Sequence, residues 1–507
     1  MIKTTVPRKN IRSNVIFSVL GYALPLLAAL ATIPIMVRAL GTDLYGLYII
    51  CTSLIGFMAL VDLGIGQTVI KYVAEYEATN QQAKVQPVLN VALLVYLVIG
   101  LCSAMALFVF SSNIASALYD DPQKQALAQK VLQITAFPLF FSYMNQFFLN
   151  VCKAYHRFDL PAVVHNAGNL GGIVLATVLL LLGYGLEEVL WGYVVVQGGV
   201  LMAGYSIGRH VLPDAIRLWP VFDKKIFDEI VSFSFYTFIG NFVSSVAARA
   251  DKLVIGVILG TDAVTYYQIP FTIAQMANGI IHALVNIAFP RFSEMSVTGN
   301  KQGLLSLYRK VGQIMSLIST VIAVLLITVG GSFLALWISP EFAQHATLTL
   351  QIIALYFFLH SNTVTGYWVL QGSGEAKLTA LIAVIGTVAY FVGMYYLGGH
   401  YAHNGVAFAL FLLLLAVPLQ YIWISRYVGH RVVEYVLQLV SFAVLGYFMV
   451  YGLEIVNTWL DSHLLEILVD GLVGLLVLLA GVYGLWKHSN ADSELLKSPP
   501  SLMKGGC

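Results

Sequence analysis

Charge is what this 507-residue sequence has little of: only 10% of its residues are Asp, Glu, Lys or Arg, while 59% are hydrophobic. A soluble globular chain carries about 25% charged residues. A water-soluble fold of this size is therefore excluded, and the chain reads as a polytopic membrane protein. Cysteine is scarce too. Cys51, Cys102, Cys152 and Cys507 are scattered, with no CxxC pair. Neither a disulfide framework nor a metal site is indicated. There is no GxxxxGK(S/T) phosphate loop, which argues against direct ATP drive, and no GxSxG or HExxH signature. No soluble stretch is large enough for a separate catalytic unit. The expectation is a non-enzyme with no cofactor and no nucleic-acid partner.

What is present is a series of apolar runs, roughly 20 to 30 residues long, which suits membrane helices and not barrel strands. Fourteen candidate spans result: 14–38, 45–70, 87–111, 127–152, 159–183, 188–211, 229–259, 263–290, 308–331, 347–371, 376–398, 403–425, 432–455 and 463–486. The basic start (Lys3, Arg8, Lys9, Arg12) resembles a signal peptide, but the run behind it extends to Val37. That is too long for a signal core and reads as the first span. The tail after Lys487 is polar and ends in a Pro- and Gly-containing stretch.

Basic residues set the orientation. With the N-terminus in the cytoplasm, 22 of the 27 Lys and Arg fall in inside segments. Only Arg38, Lys124 and Lys130 fall outside, and Arg249 and Lys252 lie within a span. The positive-inside rule then predicts that both termini are cytoplasmic. All seven tryptophans fall at predicted span ends or in the short loops beside them, as an interfacial belt requires.

The sequence also repeats itself. Leu40-Gly-Thr-Asp43 with Tyr48 recurs as Leu259-Gly-Thr-Asp262 with Tyr267. Glu75 pairs with Glu294 at the same offset. Leu118…Pro122 pairs with Leu336…Pro340, and Leu132-Gln-Ile134 with Leu350-Gln-Ile352, one residue shifted. Spans 1–6 and 7–12 are therefore expected to be two copies of one unit. Six spans is an even number, so both copies point the same way. A pseudo-twofold along the membrane normal then relates them, with substrate at their interface. The expected fold class is all-α, with a six-helix lobe (1–211), a cytoplasmic linker (212–228), a second six-helix lobe (229–426), an additional hairpin (427–487) and a cytoplasmic tail (488–507).

Ionisable residues inside a span are costly and mark candidate sites. The main cluster is Arg249, Asp251 and Lys252, in a window that ends in the second Leu-Gly-Thr-Asp. Residues three apart share a helix face, so Arg249 and Lys252 can point together, while Asp251 lies on another part of the surface. One reading is a cationic patch for an anionic headgroup, which the bidentate fork of Arg suits. The other is a self-neutralising cluster that locks the span, or a snorkelling lysine. The matching residues of the first copy, Leu30 to Ile33, carry no charge, so the cluster belongs to one lobe only. Lys252 falls about 6 Å and Arg249 about 10 Å inside the outer boundary, at 1.5 Å per residue.

Asp62 has no basic residue within one turn. It reads as a proton or sodium site, as a partner for Arg249 or Lys252, or as a protonated acid bonded to a neighbour's backbone. Asn145, Gln146 and Asn150, with His360, Ser361, Asn362 and Thr363 on the repeat mate, fit a cleft lining or plain interhelical hydrogen bonding. His282 and Asn286 carry the same two readings. Lys71, Lys153, His156, Arg157 and Arg291 fit a cytoplasmic entrance for an anionic headgroup, or positive-inside topology alone.

Arg38-x-Leu-Gly-x-x-x-Tyr-Gly46, followed by Asp62-Leu-Gly64, resembles the polysaccharide transporter (Wzx-like) family. That family belongs to the superfamily of multidrug, oligosaccharidyl-lipid and polysaccharide exporters. The resemblance implies a bacterial inner-membrane flippase. Its implied substrate is an undecaprenyl-pyrophosphate-linked oligosaccharide, the repeat unit of an O-antigen, capsule or exopolysaccharide. The implied mechanism is alternating access, with a cationic cavity, proton or sodium coupling, membrane lipids as surroundings and glycan polymerases as partners. Two alternatives share the fold. A cation-coupled multidrug exporter should show an acidic cleft, whereas here two buried bases face two buried acids. A lipid II flippase also has fourteen spans.

Overall fold

The protein is described by a computed structural model covering residues 11–60, 65–79, 81–157, 159–213, 215–228, 250–460 and 462–495. Among the described residues all regular structure is helical and no strand occurs. In chain order the helices are α1 (Ile11–Leu60), α2 (Ile65–Ala78), α3 (Gln82–Leu118), α4 (Pro122–Ala154), α5 (Asp159–Leu181), α6 (Leu186–Val211), α7 (Thr261–Val297), α8 (Lys301–Thr328), α9 (Gly330–Trp337), α10 (Pro340–Gly372), α11 (Ala376–Ala409), α12 (Val417–Tyr427), α13 (Val432–Asn457) and α14 (His463–Leu495). Residues 250–259 add a further helical stretch before α7. Nine helical stretches among the described residues are long and apolar enough to cross a membrane. This is a multi-pass membrane protein.

The breaks follow local chemistry. Helix α1 is interrupted at Gly41, whose φ is 75°, and the helix over 250–259 ends at Gly260, whose φ is 89°. Both glycines occupy the left-handed region, which only Gly enters without a steric cost. They are the same position of the two Leu-Gly-Thr-Asp words. Helix α4 starts with Pro122 after Asp121, whose carboxylate accepts from the Gln123 amide. Helix α10 starts with Pro340 after Ser339, whose hydroxyl accepts from the Phe342 amide. Proline in the first turn sacrifices no hydrogen bond, and the preceding side chain caps the free amides. Helix α11 breaks at Tyr401 and Ala402, between the apolar runs expected at 376–398 and 403–425.

The chain divides into two compact units, Met1–Thr265 and Tyr266–Cys507. In the first, α4 packs against α1, α2, α3, α5 and α6. Its buried face includes Leu132, Leu139, Tyr143 and Phe147. In the second, α10 packs against α8, α9, α11 and α12, while α13 and α14 both lie on α8. Glycines seat these last two helices. A Cβ on Gly446 would meet Thr320 at 3.1 Å, one on Gly474 would meet Leu325 at 3.1 Å, and one on Gly481 would meet Leu317 at 2.6 Å. Close backbone approach is how membrane helices gain packing contacts in lipid. The opposite faces of α13 and α14 expose Val433, Leu437, Phe448, Leu468 and Leu472. Lipid is the solvent for such faces.

Candidate functional site

The two Leu-Gly-Thr-Asp words meet inside the first unit. Thr42 Oγ1 donates to Asp262, and Thr261 Oγ1 donates to Asp43. Each word thus supplies one hydroxyl and one carboxylate to the other. Thr265 Oγ1 adds a bond to the Thr42 carbonyl at 2.6 Å. Asp43 also accepts from the Tyr119 hydroxyl at 2.8 Å and from Lys124 Nζ at 2.5 Å. We refer to this set as the clasp. It requires glycine at 46, because a Cβ there would collide with the Thr261 carbonyl. Since the obstacle is backbone, Gly46→Ala is expected to force the two words apart. Its thermal unfolding should show a loss of about 1–3 kcal/mol, the usual cost of overpacking.

Lys124 is half exposed, with 50% of its side chain accessible against 22% for Asp43. The hydrogen bond to Asp43 holds the Lys124 ammonium above its usual range. A raised lysine contributes its full stabilisation below its ordinary value of about 10.4 and loses it only as pH rises beyond that. Lys124→Ala is therefore expected to cost no more than about 1 kcal/mol, equally at pH 6 and pH 8, and less in high salt. Denaturation midpoints across pH and salt test this.

The helical stretch over 250–259 packs on α1 and α3: a Cβ on Gly256 would meet Ile50 at 2.6 Å and Leu118 at 3.0 Å. Asp251 and Lys252 lie on it, 2% and 5% exposed. Helical spacing places them on different parts of the surface, yet Lys252 Nζ reaches back to Asp251 Oδ1 at 2.7 Å. The four-carbon stem spans the angular gap. The Asp251 carboxylate also accepts the Lys252 backbone amide at 2.9 Å. The two charges are thus paired with each other in a buried place. Arg249 and Asp62 lie outside the described residues, as do the side chains of His282 and Asn286.

The predicted polar lining divides between interhelical bonds and packing. Asn150, 2% exposed, donates to the Tyr96 hydroxyl at 3.0 Å and so joins α4 to α3. It also accepts from Gln146 and Lys153, both at 3.4 Å. Asn145 is half-buried beside Gly204 of α6, and its Oδ1 has no hydrogen-bond partner. In the second unit, Asn362 donates to the Phe358 carbonyl at 2.7 Å and accepts from Ser316 of α8. Gln438 of α13 donates to that same Ser316 at 2.7 Å, so three helices are tied through one hydroxyl. His360 packs against Tyr356 and Phe357, with ring centroids 5.5 and 6.1 Å away. Interhelical bonds in membranes contribute about 0.6 kcal/mol each on average. A double-mutant cycle on Asn150→Ala and Tyr96→Phe is expected to return a coupling of that order.

Of the predicted entrance residues, Lys153 and Arg157 sit at the end of α4, Lys71 lies in the middle of α2 and Arg291 lies within α7. Lys71 is exposed and lies 4.9 Å from the Tyr72 ring centre. Arg157 is exposed and holds Asp159 with two bonds, at 3.0 and 3.1 Å. Arg291 is exposed, and Lys153 is half-buried beside Asn150. Among the described residues no group of His, Cys, Asp and Glu has a metal-binding arrangement.

The chain is 23% identical over 430 residues to a Shigella flexneri protein named "Putative O-antigen transporter", covering 82% of this chain and 98% of that one. It is 25% identical over 293 residues to the succinoglycan biosynthesis transport protein ExoT of Rhizobium meliloti, covering 57% of this chain and 55% of that one. Its fold is similar to that of the lipid II flippase MurJ in an inward closed conformation. The TM-score is 0.74 at 15% identity, covering 94% of this chain and 99% of that chain. The family model described as "Polysaccharide biosynthesis protein" matches residues 11–296, more than half the chain. The chain therefore belongs to the polysaccharide biosynthesis protein family.

Proposed function

We propose that the protein is a flippase of the bacterial inner membrane. It carries an undecaprenyl-pyrophosphate-linked oligosaccharide, the repeat unit of an O-antigen, capsule or exopolysaccharide, from the cytoplasmic to the periplasmic leaflet. The single observation that carries this reading is family membership, with the O-antigen transporter relative aligned over nearly its whole length. The proposed architecture is fourteen spans, with two six-helix lobes (1–211 and 229–426) joined by the 212–228 linker, then the hairpin 427–487 and the tail 488–507. Both termini are cytoplasmic in this reading.

The reciprocal clasp joins equivalent residues of the two repeated words within the first unit. From the basic-residue asymmetry we read the clasp as lying at the periplasmic end. Alternating access then requires it to open so that the substrate can leave outward. On this reading Lys71, Lys153, Arg157 and Arg291 collect the headgroup from the inner leaflet. Arg249, with the Asp251–Lys252 pair beside it, draws the pyrophosphate across. Asn145, Asn150, His282, His360 and Asn362 line the route, and Asp62 couples transport to a proton or sodium gradient. Glycan polymerases would take up the product.

A second reading is a lipid II flippase, favoured by a fold likeness to MurJ that covers 94% of this chain and 99% of that one. Deletion of the gene separates the two. Loss of surface glycan at normal growth, restored by the wild-type gene, supports the first. Cell lysis with a block in wall synthesis supports the second.

A further inference from the structure

The last two helices carry a polar group that the proposed transport route does not use. Asp470 lies seven residues into α14 from His463, about 10 Å along the helix at 1.5 Å per residue. It is 0% exposed. Its Oδ2 accepts from Asn457 Nδ2 of α13 at 3.1 Å. Its Oδ1 has no hydrogen-bond partner, and neither has the Oδ1 of Asn457. A third buried oxygen without a partner, Thr328 Oγ1, stands at the end of α8.

The packing register brings Thr328 to the same level. Helices α8 and α14 run antiparallel, with Gly481 against Leu317 and Gly474 against Leu325. One turn further along α8 is Thr328, and one turn back along α14 is Asp470. Three oxygens lacking partners, from α8, α13 and α14, therefore lie at one depth. Just outside them, Ser332 of α9 bonds His463 Nδ1 at 2.9 Å and also the Glu466 carboxylate.

An ionised carboxylate held in hydrocarbon with a single amide donor is strongly unfavourable, and the remedy is a positive charge. The surrounding helices cannot provide one. No Lys or Arg occurs between residues 311 and 337 or between 432 and 486. The other ionisable groups nearby are His463, half exposed, and the acids Glu454 and Glu466. Asp470 takes part in no ion pair among the described residues. Its counter-charge must come from solution.

We propose that Asp470, Asn457 and Thr328 form a site for one small monovalent cation, sodium or a proton, in the α8–α13–α14 packing of the second unit. Sodium would take the three free oxygens as ligands, since hard cations prefer oxygen. A proton on Asp470 Oδ1 would instead donate to Asn457 Oδ1 and close a two-bond acid–amide ring. In both cases the same oxygens are satisfied by the same charge. The proposal stands apart from the identity of the transported lipid, because it concerns ion binding by the purified protein.

The test uses the full chain purified in detergent, with radioactive sodium binding and infrared titration of protonated carboxyl groups. If sodium is the ligand, the wild type binds it saturably. Asp470→Asn then abolishes binding, and Thr328→Val weakens it about tenfold. If the ligand is a proton, sodium does not bind, and one protonated-carboxyl band of the wild type is missing from Asp470→Asn. Should Asp470→Asn fail to fold by gel filtration, Thr328→Val and Asn457→Ala carry both measurements, with weakened sodium binding or a shifted band expected. The proposal is overturned if folded variants show neither a change in sodium binding nor a change in the carboxyl bands.

Discussion

Export of surface glycan is expected to stop when residues 42 and 262 are joined covalently. Thr42 and Asp262 already touch through their side chains, and a disulfide between cysteines placed there would draw their Cβ atoms to about 3.8 Å. The variant Thr42→Cys with Asp262→Cys belongs in a background lacking the native cysteines, because Cys102 is exposed and would compete. Oxidation should close the clasp permanently. If outward release needs these two words to part, export falls to the level of a deletion strain, a loss of a hundredfold or more in order of magnitude, since a covalent link exceeds any hydrogen bond it replaces. Reduction restores it. Either cysteine alone should have a small effect, because losing a partly exposed hydrogen bond costs about 1 kcal/mol. Full export from the fully oxidised double variant would mean that this end of the molecule never opens.

The second large effect concerns the buried pair. Lys252→Ala removes the ammonium that pairs with Asp251, which is 2% exposed, and Asp251→Ala removes the carboxylate that pairs with Lys252. Either change is expected to destabilise by about 3–5 kcal/mol, the usual result of removing one side of a buried pair. Replacing both, with Asp251→Leu and Lys252→Met, is expected to recover most of that loss, because well-packed apolar groups often match a buried pair in stability. Thermal unfolding of the purified variants measures this. Export then separates the two roles. A pair that only locks its helix allows the stable double variant to export normally. A pair that serves the headgroup leaves it stable and inactive. The same comparison with Arg249→Ala tells whether the adjacent cation acts alone.

The sequence makes the helical class legible because its apolar runs leave no other solution in lipid. Several breaks are legible as well. Gly41 and Gly260 recur in one repeated word, and both prove to be left-handed. Proline at 122 and 340 marks two helix starts through the same capping chemistry. Partnership is much less legible. Asn150 and Asn362 look alike as polar residues within spans. Yet Tyr96 and Ser316, which engage them, lie 54 and 46 residues away in the chain. No periodicity encodes such distances. The Leu-Gly-Thr-Asp words read as boundary markers, and their meeting requires the fold, although the shared hydroxyl–carboxylate chemistry was visible in both. Lys124 and Tyr119 had no signal at all, since they act through a carboxylate some 80 residues upstream. Asp470 falls inside a run of Leu and Val whose hydropathy hides a single acid.

Reconstitution measures transport of the lipid-linked oligosaccharide most directly. Purified protein in vesicles holding a fluorescent undecaprenyl-pyrophosphate oligosaccharide should carry the label from the inner to the outer leaflet. A glycan-binding protein added outside should report its arrival, at rates well above those of empty vesicles. The oxidised Thr42→Cys, Asp262→Cys variant should show none of this. Label that stays inside with the wild-type protein, while a cationic drug is moved across the same vesicles, would contradict the account.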